Sequence, residues 1–319
     1  MMNLAMNSLA ATLSANRWWI YQRERFPLFG HGLLIAAFSL SAVSFSWLLR
    51  GGDGLPSGAA PLTAFLTAFL LFLQLRIADE FKDFNDDSRY QPYRPVPRGL
   101  VKLRELAVIG VVGAAVQLAL ALWLSPLLGL WLLVTWGYLA LMTREFFVGD
   151  WIRRRPITYL WTHMLIIPLA DFYATACDWQ GAGVAPSSGL FWFIAVSFFN
   201  GIALEIGRKL RAPGDEEEGV RTYSHLWGLR NACLLWLAAL FVTAACAIYA
   251  STRIDFLRPI ALTLGLLLGF AVFLVCQFLA KPMTTRAKLV EHFSGLWTLL
   301  LYLSLGLIPL VWKLKEGQP

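Results

Sequence analysis

The chain has 319 residues, of which 58% are hydrophobic and only 15% are charged, and its mean hydropathy is +0.59. Soluble domains carry about 25% charged and roughly 45–50% apolar residues, so this chain has too few polar residues to cover a water-soluble globule. The composition also excludes a disordered chain and a collagen-like chain, and four widely spaced cysteines exclude a disulfide framework. A polytopic, all-α membrane protein is the class that remains.

Nine apolar stretches are long enough to cross a membrane, because a spanning helix needs about 20 largely apolar residues. They cover residues 27–49, 61–78, 105–124, 126–142, 157–176, 188–207, 231–250, 259–279 and 293–312. The third and fourth stretches are separated at Ser125-Pro126, where a proline inside one long helix would be costly and a short turn gives two crossings of normal length. The sequence therefore predicts nine transmembrane helices in one domain, residues 27–313.

The basic residues predict the orientation of this domain. With nine spans and a cytosolic N-terminus, most of the 27 Lys and Arg residues fall on the cytosolic side. The net charge of +7 is therefore attributed to membrane topology, and no nucleic-acid partner is expected. The outer loops are short or rich in small residues, so any chemistry is expected to face the cytosol from the cytoplasmic (inner) membrane.

The segments outside this domain are residues 1–26 and a C-terminal tail, residues 314–319. No cleaved secretory signal is predicted, because no basic residue precedes Arg17. The N-terminal segment mixes aromatic and basic side chains, as in a helix that lies in the lipid headgroup layer; a disordered tail is the alternative. These side chains are Arg17, Trp18, Trp19, Tyr21, Arg23 and Arg25.

Three acids follow the second stretch at helical spacing. Asp79, Asp83 and Asp87 are four residues apart, so their carboxylates share one face if the helix continues past the membrane edge. Like charges one turn apart repel, which favours a cation between them, and Mg²⁺ prefers such oxygen ligands together with substrate phosphates. The alternative is a solvated helix end. The basic residues that would then pair with the acids are Lys82, Arg89 and Arg94.

Further charged residues follow in two cytosolic loops. The turn from Arg94 to Gly99 presents two guanidiniums beside the acids, and arginine matches phosphate oxygens. The loop after the sixth stretch, residues 205–224, again combines acids with bases. Because the second and sixth stretches are four spans apart, the sequence predicts two similar four-helix halves and a ninth helix.

The two acidic motifs and the Arg-Pro turn together resemble the UbiA superfamily of intramembrane prenyltransferases. The matching residues are Asp79-x-x-x-Asp83-x-x-x-Asp87, Arg94-Pro95-x-x-x-Gly99, and Asp215-x-x-x-Gly219-x-Arg221-Thr222. The resemblance covers the chain from the first to the ninth helix. It implies a UbiA-like helical bundle around a central cavity that opens to lipid, with a cytosolic cap built from the two acidic loops.

The resemblance also implies roles for individual residues. The acids of both motifs would bind Mg²⁺, which binds the diphosphate of an isoprenoid donor, and the prenyl group would join a lipophilic or aromatic acceptor. The acids of this catalytic set are Asp79, Asp83, Asp87 and Asp215, with Asp79 where the family usually has Asn. The family's second motif has another Asp four residues before Asp215, and this chain has Arg211 there; Glu205 is a candidate substitute metal ligand.

Basic residues near the motifs are candidates for substrate binding. They are Arg76, Arg94, Arg98, Arg153, Lys209 and Arg211, together with His163. Arg153 has an alternative role, because positive-inside charge alone requires arginines in this loop. Arg76 is expensive inside a membrane and is predicted to be functional or paired, with Glu80 as one possible partner. His163 is predicted to contact the acceptor or remove its proton, or to be a hydrogen-bonded core histidine.

Three functions are compatible with these residues. A Mg²⁺-dependent prenyltransferase is the leading prediction. A UbiA-type membrane terpene cyclase would ionise the same donor and quench the cation internally. A non-catalytic membrane protein that retains the fold is the third, and the irregular second motif favours it. Transport is disfavoured, because transporters place charged residues near mid-membrane and here the acids concentrate at one edge.

Overall fold

The computed structural model describes residues 16–316, and every regular element in this range is a helix. The first six helices are α1 (16–25), α2 (Leu28–Leu49), α3 (Ala59–Lys82), α4 (Phe84–Tyr90), α5 (Leu103–Leu124) and α6 (Pro126–Thr143). The next five are α7 (Gly149–Arg153), α8 (Pro156–Met164), α9 (Ile166–Trp179), α10 (Leu190–Arg208) and α11 (Tyr223–Trp227). The last four are α12 (Leu229–Ser251), α13 (Leu257–Ala280), α14 (Thr284–Leu305) and α15 (Leu307–Glu316).

Eight helical segments of the described chain are long and apolar enough to cross a membrane. They are α2, α3, α5, α6, α10, α12, α13 and the segment Thr284–Glu316, which contains α14 and α15. The predicted stretch 157–176 forms two shorter helices, α8 and α9, which are separated at Leu165. The nine-span count and the cytosolic N-terminus therefore stay predictions.

Proline explains both helix breaks. A proline has no N–H for the carbonyl four residues earlier, and its ring clashes with that carbonyl. Pro168 lies four residues after Met164, where α8 ends, and Pro309 lies four residues after Leu305, where α14 ends. Gly306 follows α14, and a Cβ there would lie 2.3 Å from the carbonyl oxygen of Ser41. The glycine thus permits α14 to pass close to α2.

The bundle has a packed interior and an apolar exterior. The buried centre includes Trp236, Trp297 and Tyr302, and the pairs α10–α12, α3–α5 and α2–α9 pack against each other. Large apolar side chains also point outward, as Leu262 and Leu266 of α13 show with 70% and 78% exposure. An outward apolar surface suits a bundle whose solvent is lipid.

The predicted N-terminal segment folds in part as α1, while residues 1–15 lie outside the described part. Tyr21 of α1 is buried in a small apolar cluster with Ile77 and Leu106. Ion pairs fix both ends of the helix, with Arg17 at 2.8 Å from Glu105 and Arg98 at 3.1 Å from Glu24. Ile77 lies on α3 shortly before the first acid motif, so the contact with Tyr21 places α1 beside that motif. The predicted tail also begins within α15, whose last residue is Glu316.

Candidate active site

A cavity of about 280 Å³ lies where α3, α4, α8 and α10 end or begin on one side of the bundle. Its lining comes from three separate parts of the chain. The residues are Lys82, Asp83, Asp86, Asp87, Tyr90, Gln91, Arg94, Glu145, Arg153, Pro156, Tyr159, Lys209, Gly219, Val220, Arg221, Tyr223 and Leu226. Both loops singled out in the sequence therefore meet at one cavity.

The acid wall of the cavity is formed by a kinked but nearly continuous helix. Asp83 joins α3 to α4 with φ −95° and ψ 4°, and its N–H donates to the Asp79 carbonyl at 2.9 Å. The Asp87 N–H donates in turn to the Asp83 carbonyl at 2.8 Å. These bonds confirm that the helical register continues through the motif, so the three acids follow one another at one-turn intervals.

The three acids have different surroundings. Both carboxylate oxygens of Asp87 accept from one nitrogen of Arg94, at 2.6 and 2.7 Å. Asp79 lies outside the cavity lining and pairs with Arg76 at 3.3 Å. Asp83 makes no ion pair within residues 16–316. Burial, and next the charge of Asp79, raise the pKa of Asp83 from 3.8 to about 6. Asp83 is thus the acid whose charged form a bound cation would stabilise most.

The sequence suggested Glu80 as a partner for Arg76, and the structure pairs Arg76 with another acid. Arg76 pairs with Asp79, whereas Glu80 accepts from Arg25 of α1 at 2.5 Å. Arg25 also lies 3.8 Å from Asp87. The N-terminal helix therefore contributes a cation to the first acid motif, a contact that nothing in the motif spacing indicates.

A polar cluster around Lys82 forms the next part of the cavity. The Lys82 ammonium lies 3.0 Å from Glu145, 2.8 Å from the Tyr159 hydroxyl and 3.3 Å from His163 Nε2. Its three N–H donors therefore have three acceptors. Arg153 donates a further hydrogen bond to Glu145 at 2.6 Å. Burial would raise the pKa of Glu145, but the hydrogen bonds from Arg153 and Lys82 outweigh it and hold that pKa below its usual value.

His163 belongs to this cluster and does not line the cavity. Its Nδ1 lies 2.9 Å from the Tyr159 carbonyl, which only accepts, so Nδ1 carries the hydrogen. Its Nε2 lies beside the Lys82 ammonium, which only donates, so Nε2 presents its lone pair. Both nitrogens are thus occupied in a neutral ring, which matches the core-histidine alternative. Tyr159, by contrast, lines the cavity and accepts from Lys82, which leaves its O–H free to donate.

A left-handed turn presents Glu145 to the cluster. Glu145, Phe146 and Phe147 have φ values of 49°, 56° and 60°. Side chains with a Cβ avoid this region at about 1–2 kcal/mol per residue. The ion pairs of Glu145 with Lys82 and Arg153 offset part of that strain. Strained backbone of this kind often occurs at functional sites.

The loop after α10 closes the cavity opposite the acids. Gly219 has φ +76°, and a Cβ there would lie 2.5 Å from the Tyr90 ring. Glu217 accepts from Gln91 at 3.2 Å and from Tyr93 at 3.3 Å. These contacts hold the second loop against α4.

The acids of the second loop are placed away from the cavity lining. Glu205 pairs with Arg208 and, at 2.8 Å, with Lys209. Asp215 Oδ1 accepts from Thr284 at 2.8 Å, and its Oδ2 is buried with no hydrogen-bond partner in the described part of the chain. Among residues 16–316, no three His, Cys, Asp or Glu side chains are grouped closely enough to hold a metal by themselves.

The structure brings together only some of the predicted site residues. Asp83, Asp87, Arg94, Arg153 and Lys209 line the cavity. The remaining predicted residues lie outside its lining; they are Arg76, Asp79, Arg98, His163, Glu205, Arg211 and Asp215.

The charged lining residues that the sequence did not suggest as binding candidates are Lys82, Asp86, Glu145 and Arg221, and Tyr159 also lines the cavity. Arg221 belongs to the second motif, and Lys82 and Asp86 adjoin Asp83 and Asp87. Their positions in the sequence were therefore a usable signal. Glu145 reaches the cluster through the left-handed turn, and Tyr159 reaches Lys82 from a separate helix, α8.

The described helices form a bundle with eight segments that could cross a membrane and a polar cavity at one end. The family model of the UbiA prenyltransferase family matches residues 35–299. The chain therefore belongs to this family and is a multi-pass integral membrane protein. No curated protein sequence matches it.

Solved structures show the same fold at low sequence identity. A UbiA homolog from Aeropyrum pernix K1 in its apo form has a TM-score of 0.67 and 15% identity, over 86% of this chain and 96% of that one. A structure of digeranylgeranylglyceryl phosphate synthase has a TM-score of 0.56 and 15% identity, over 90% and 99%. A UbiA homolog from Archaeoglobus fulgidus bound to GPP and Mg²⁺ has a TM-score of 0.54 and 13% identity, over 89% and 98%.

Proposed function

We propose that this protein is a Mg²⁺-dependent prenyltransferase that moves a prenyl group from an isoprenoid diphosphate to a lipophilic or aromatic acceptor within the membrane. The observation that carries the proposal is the two-sided cavity: acids of the α3–α4 segment line it together with Arg94, Arg153, Lys209 and Arg221. A diphosphate needs this combination, because a metal and arginines together neutralise its charge. Family membership and the GPP- and Mg²⁺-bound relative support the same chemistry.

The proposed metal site is the first acid motif. Asp83 fits a divalent cation because it is partly buried beside Asp79 and Asp87 and its pKa is raised in their presence. Asp83 and Asp87 would hold Mg²⁺, with Asp79 one turn away along the same helix face. Bound Mg²⁺ would neutralise charge on the diphosphate and so favour its departure. Arg94 keeps Asp87 in place through its two contacts to that carboxylate.

The proposed reaction breaks the bond between C1 of the prenyl group and the diphosphate oxygen. The electron pair leaves with the diphosphate, and the basic side chains of the cavity receive that charge. The delocalised prenyl cation then bonds to a nucleophilic atom of the acceptor, which loses a proton. Apolar helices around the reacting carbon exclude water, which would otherwise capture the cation.

The sidedness of the site is part of the proposal. The chain segments that line the cavity leave the ends of α3, α6 and α10, where the basic loops cluster. Positive loops favour the cytosolic side, so we place the cavity at the cytosolic face of the cytoplasmic membrane.

The test uses the full-length protein in lipid nanodiscs with labelled farnesyl or geranylgeranyl diphosphate. Diphosphate release that needs Mg²⁺, with a prenylated product only when a hydroxylated aromatic acceptor is present, supports the proposal. Labelled hydrocarbon without acceptor would assign a terpene cyclase instead. Absence of release with either donor at saturating Mg²⁺ would point to a non-catalytic member of the family.

A further inference from the structure

The second loop contributes basic and no acidic side chains to the lining of the cavity. From this loop and the end of α10, the charged residues that line the cavity are Lys209 and Arg221. Three acidic side chains of the same segment are held elsewhere by specific contacts. Glu205 pairs with Arg208 and Lys209, Glu217 accepts from Gln91, and Glu216 accepts from Ser224 at 2.7 Å.

Arg211, which stands where the family has an acid, also turns away from the cavity. Its guanidinium donates to the carbonyls of Arg208 and Leu210, at 3.0 and 2.9 Å, and lies 3.7 Å from Glu291. Basic side chains at the carboxyl end of a helix commonly bind its last carbonyls in this way. The Arg211 guanidinium is therefore engaged by carbonyls at the end of α10 and lies outside the cavity lining.

Lys209 and Arg221 have donors left over for a ligand. Lys209 is held at 2.8 Å from Glu205 through one of its three N–H groups. Arg221 is exposed, and one guanidinium nitrogen donates to the Arg153 carbonyl at 3.2 Å. Its other N–H groups remain available for phosphate oxygens, which planar guanidinium donors match well.

We infer that this protein holds its diphosphate with a single Mg²⁺, bound by the first acid motif, and that Lys209 and Arg221 take the place of a second Mg²⁺. Two monovalent side chains carry the charge of one divalent ion, so the diphosphate meets the same total charge. The inference rests on the proposed function. The experiment includes Asp215, whose Oδ2 is buried without a hydrogen-bond partner in the described part of the chain.

The test counts metal ions on the full-length protein in nanodiscs. Mn²⁺ replaces Mg²⁺ as a paramagnetic probe, inorganic pyrophosphate is the ligand, and electron paramagnetic resonance measures bound Mn²⁺ per chain. One Mn²⁺ per chain is expected in the wild type with pyrophosphate, and the same count is expected in Asp215→Asn. Two Mn²⁺ per chain would overturn the inference while leaving the proposed function intact. No bound Mn²⁺ would overturn both.

Pyrophosphate affinity tests the replacement cations. Lys209→Gln and Arg221→Gln should each weaken pyrophosphate binding about tenfold or more, because each removes charge-assisted hydrogen bonds, with the Mn²⁺ count unchanged. Arg230→Gln is the matched control, since Arg230 is exposed and lies outside the cavity lining, and its affinity should equal that of the wild type. Because Arg221 is exposed, Arg221→Gln should fold normally, so it tests the inference even if Lys209→Gln misfolds. Wild-type pyrophosphate affinity in Arg221→Gln and Lys209→Gln would overturn the inference.

Discussion

Replacing Lys82 by Met tests the polar cluster beside the cavity. Lys82 and Glu145 have side-chain exposures of only 11% and 7%. The substitution keeps the apolar stem and removes three donors, which leaves the Tyr159 hydroxyl and His163 Nε2 without their partner. Removing one member of a buried ion pair costs about 3–5 kcal/mol when the other charge is left alone.

Glu145 is not left alone in this variant, because Arg153 still donates to it at 2.6 Å. We therefore expect a smaller loss, about 2–3 kcal/mol in the free energy of unfolding, which is near the contribution of one or two hydrogen bonds to a charged group. Reversible unfolding in mixed micelles measures this loss. Lys288→Met is the matched control, since Lys288 is exposed, and it should change the free energy by less than about 0.5 kcal/mol.

A double variant makes the prediction stricter. Glu145→Gln removes the charge that Lys82 neutralises, so Lys82→Met in that background should cost at least about 1 kcal/mol less than in the wild type. Equal costs in the two backgrounds, or a Lys82→Met effect no larger than that of Lys288→Met, would refute the assignment of this cluster.

The remaining predictions concern the acid motif and its supports. Because the pKa of Asp83 is raised from 3.8 to about 6, Mn²⁺ affinity should fall about tenfold per pH unit below 6 and level off above 7; a flat profile from pH 5 to 8 would contradict this. Without metal, Asp83 keeps its proton in the folded state between pH 3.8 and about 6, whereas the unfolded chain has lost it there. The free energy of unfolding should therefore fall as the pH rises from 3.8 to about 6. Gly219→Ala should lower the free energy of unfolding by about 2–4 kcal/mol, because the position has a positive φ and its Cβ would clash with the Tyr90 ring. Gly214→Ala is the control and should change little, because a Cβ there meets open space. Equal effects of the two substitutions would refute the contact between the loop and Tyr90. Arg25→Met should lower the free energy of unfolding by about 3 kcal/mol, because it leaves Glu80 buried without its cation. Arg23→Met is the control, since Arg23 is exposed. Matching unfolding curves for the two variants would argue against the role of α1.

The fold and the acid wall were predictable from local patterns. Long apolar stretches predicted the helical membrane class, and the spacing of Asp79, Asp83 and Asp87 predicted the continued helical register that the backbone hydrogen bonds show. The two breaks follow from Pro168 and Pro309, so the sequence also carried their signal. Pro126 likewise begins a new helix, α6, directly after Ser125.

The partners of the charged residues were not predictable in the same way. Glu145 reaches Lys82 through three residues in the left-handed region, and no residue in that turn is a glycine that would have indicated it. Arg25 reaches Glu80 from a helix 55 positions earlier. The resemblance made Asp215 a candidate metal ligand and Glu205 a candidate substitute. Lys209, Arg208 and Thr284 contact three of their four carboxylate oxygens, which the motif spacing does not indicate.

The most direct test of the central claim is Mg²⁺-dependent release of diphosphate from labelled geranylgeranyl diphosphate by the full-length protein, compared between the wild type and Asp83→Asn. This substitution preserves the size of the side chain and removes the charge that would hold the metal. We predict rapid release by the wild type that EDTA abolishes, and release by Asp83→Asn reduced at least about a hundredfold at any Mg²⁺ concentration. Equal Mg²⁺-dependent release by the two proteins would contradict the proposed site.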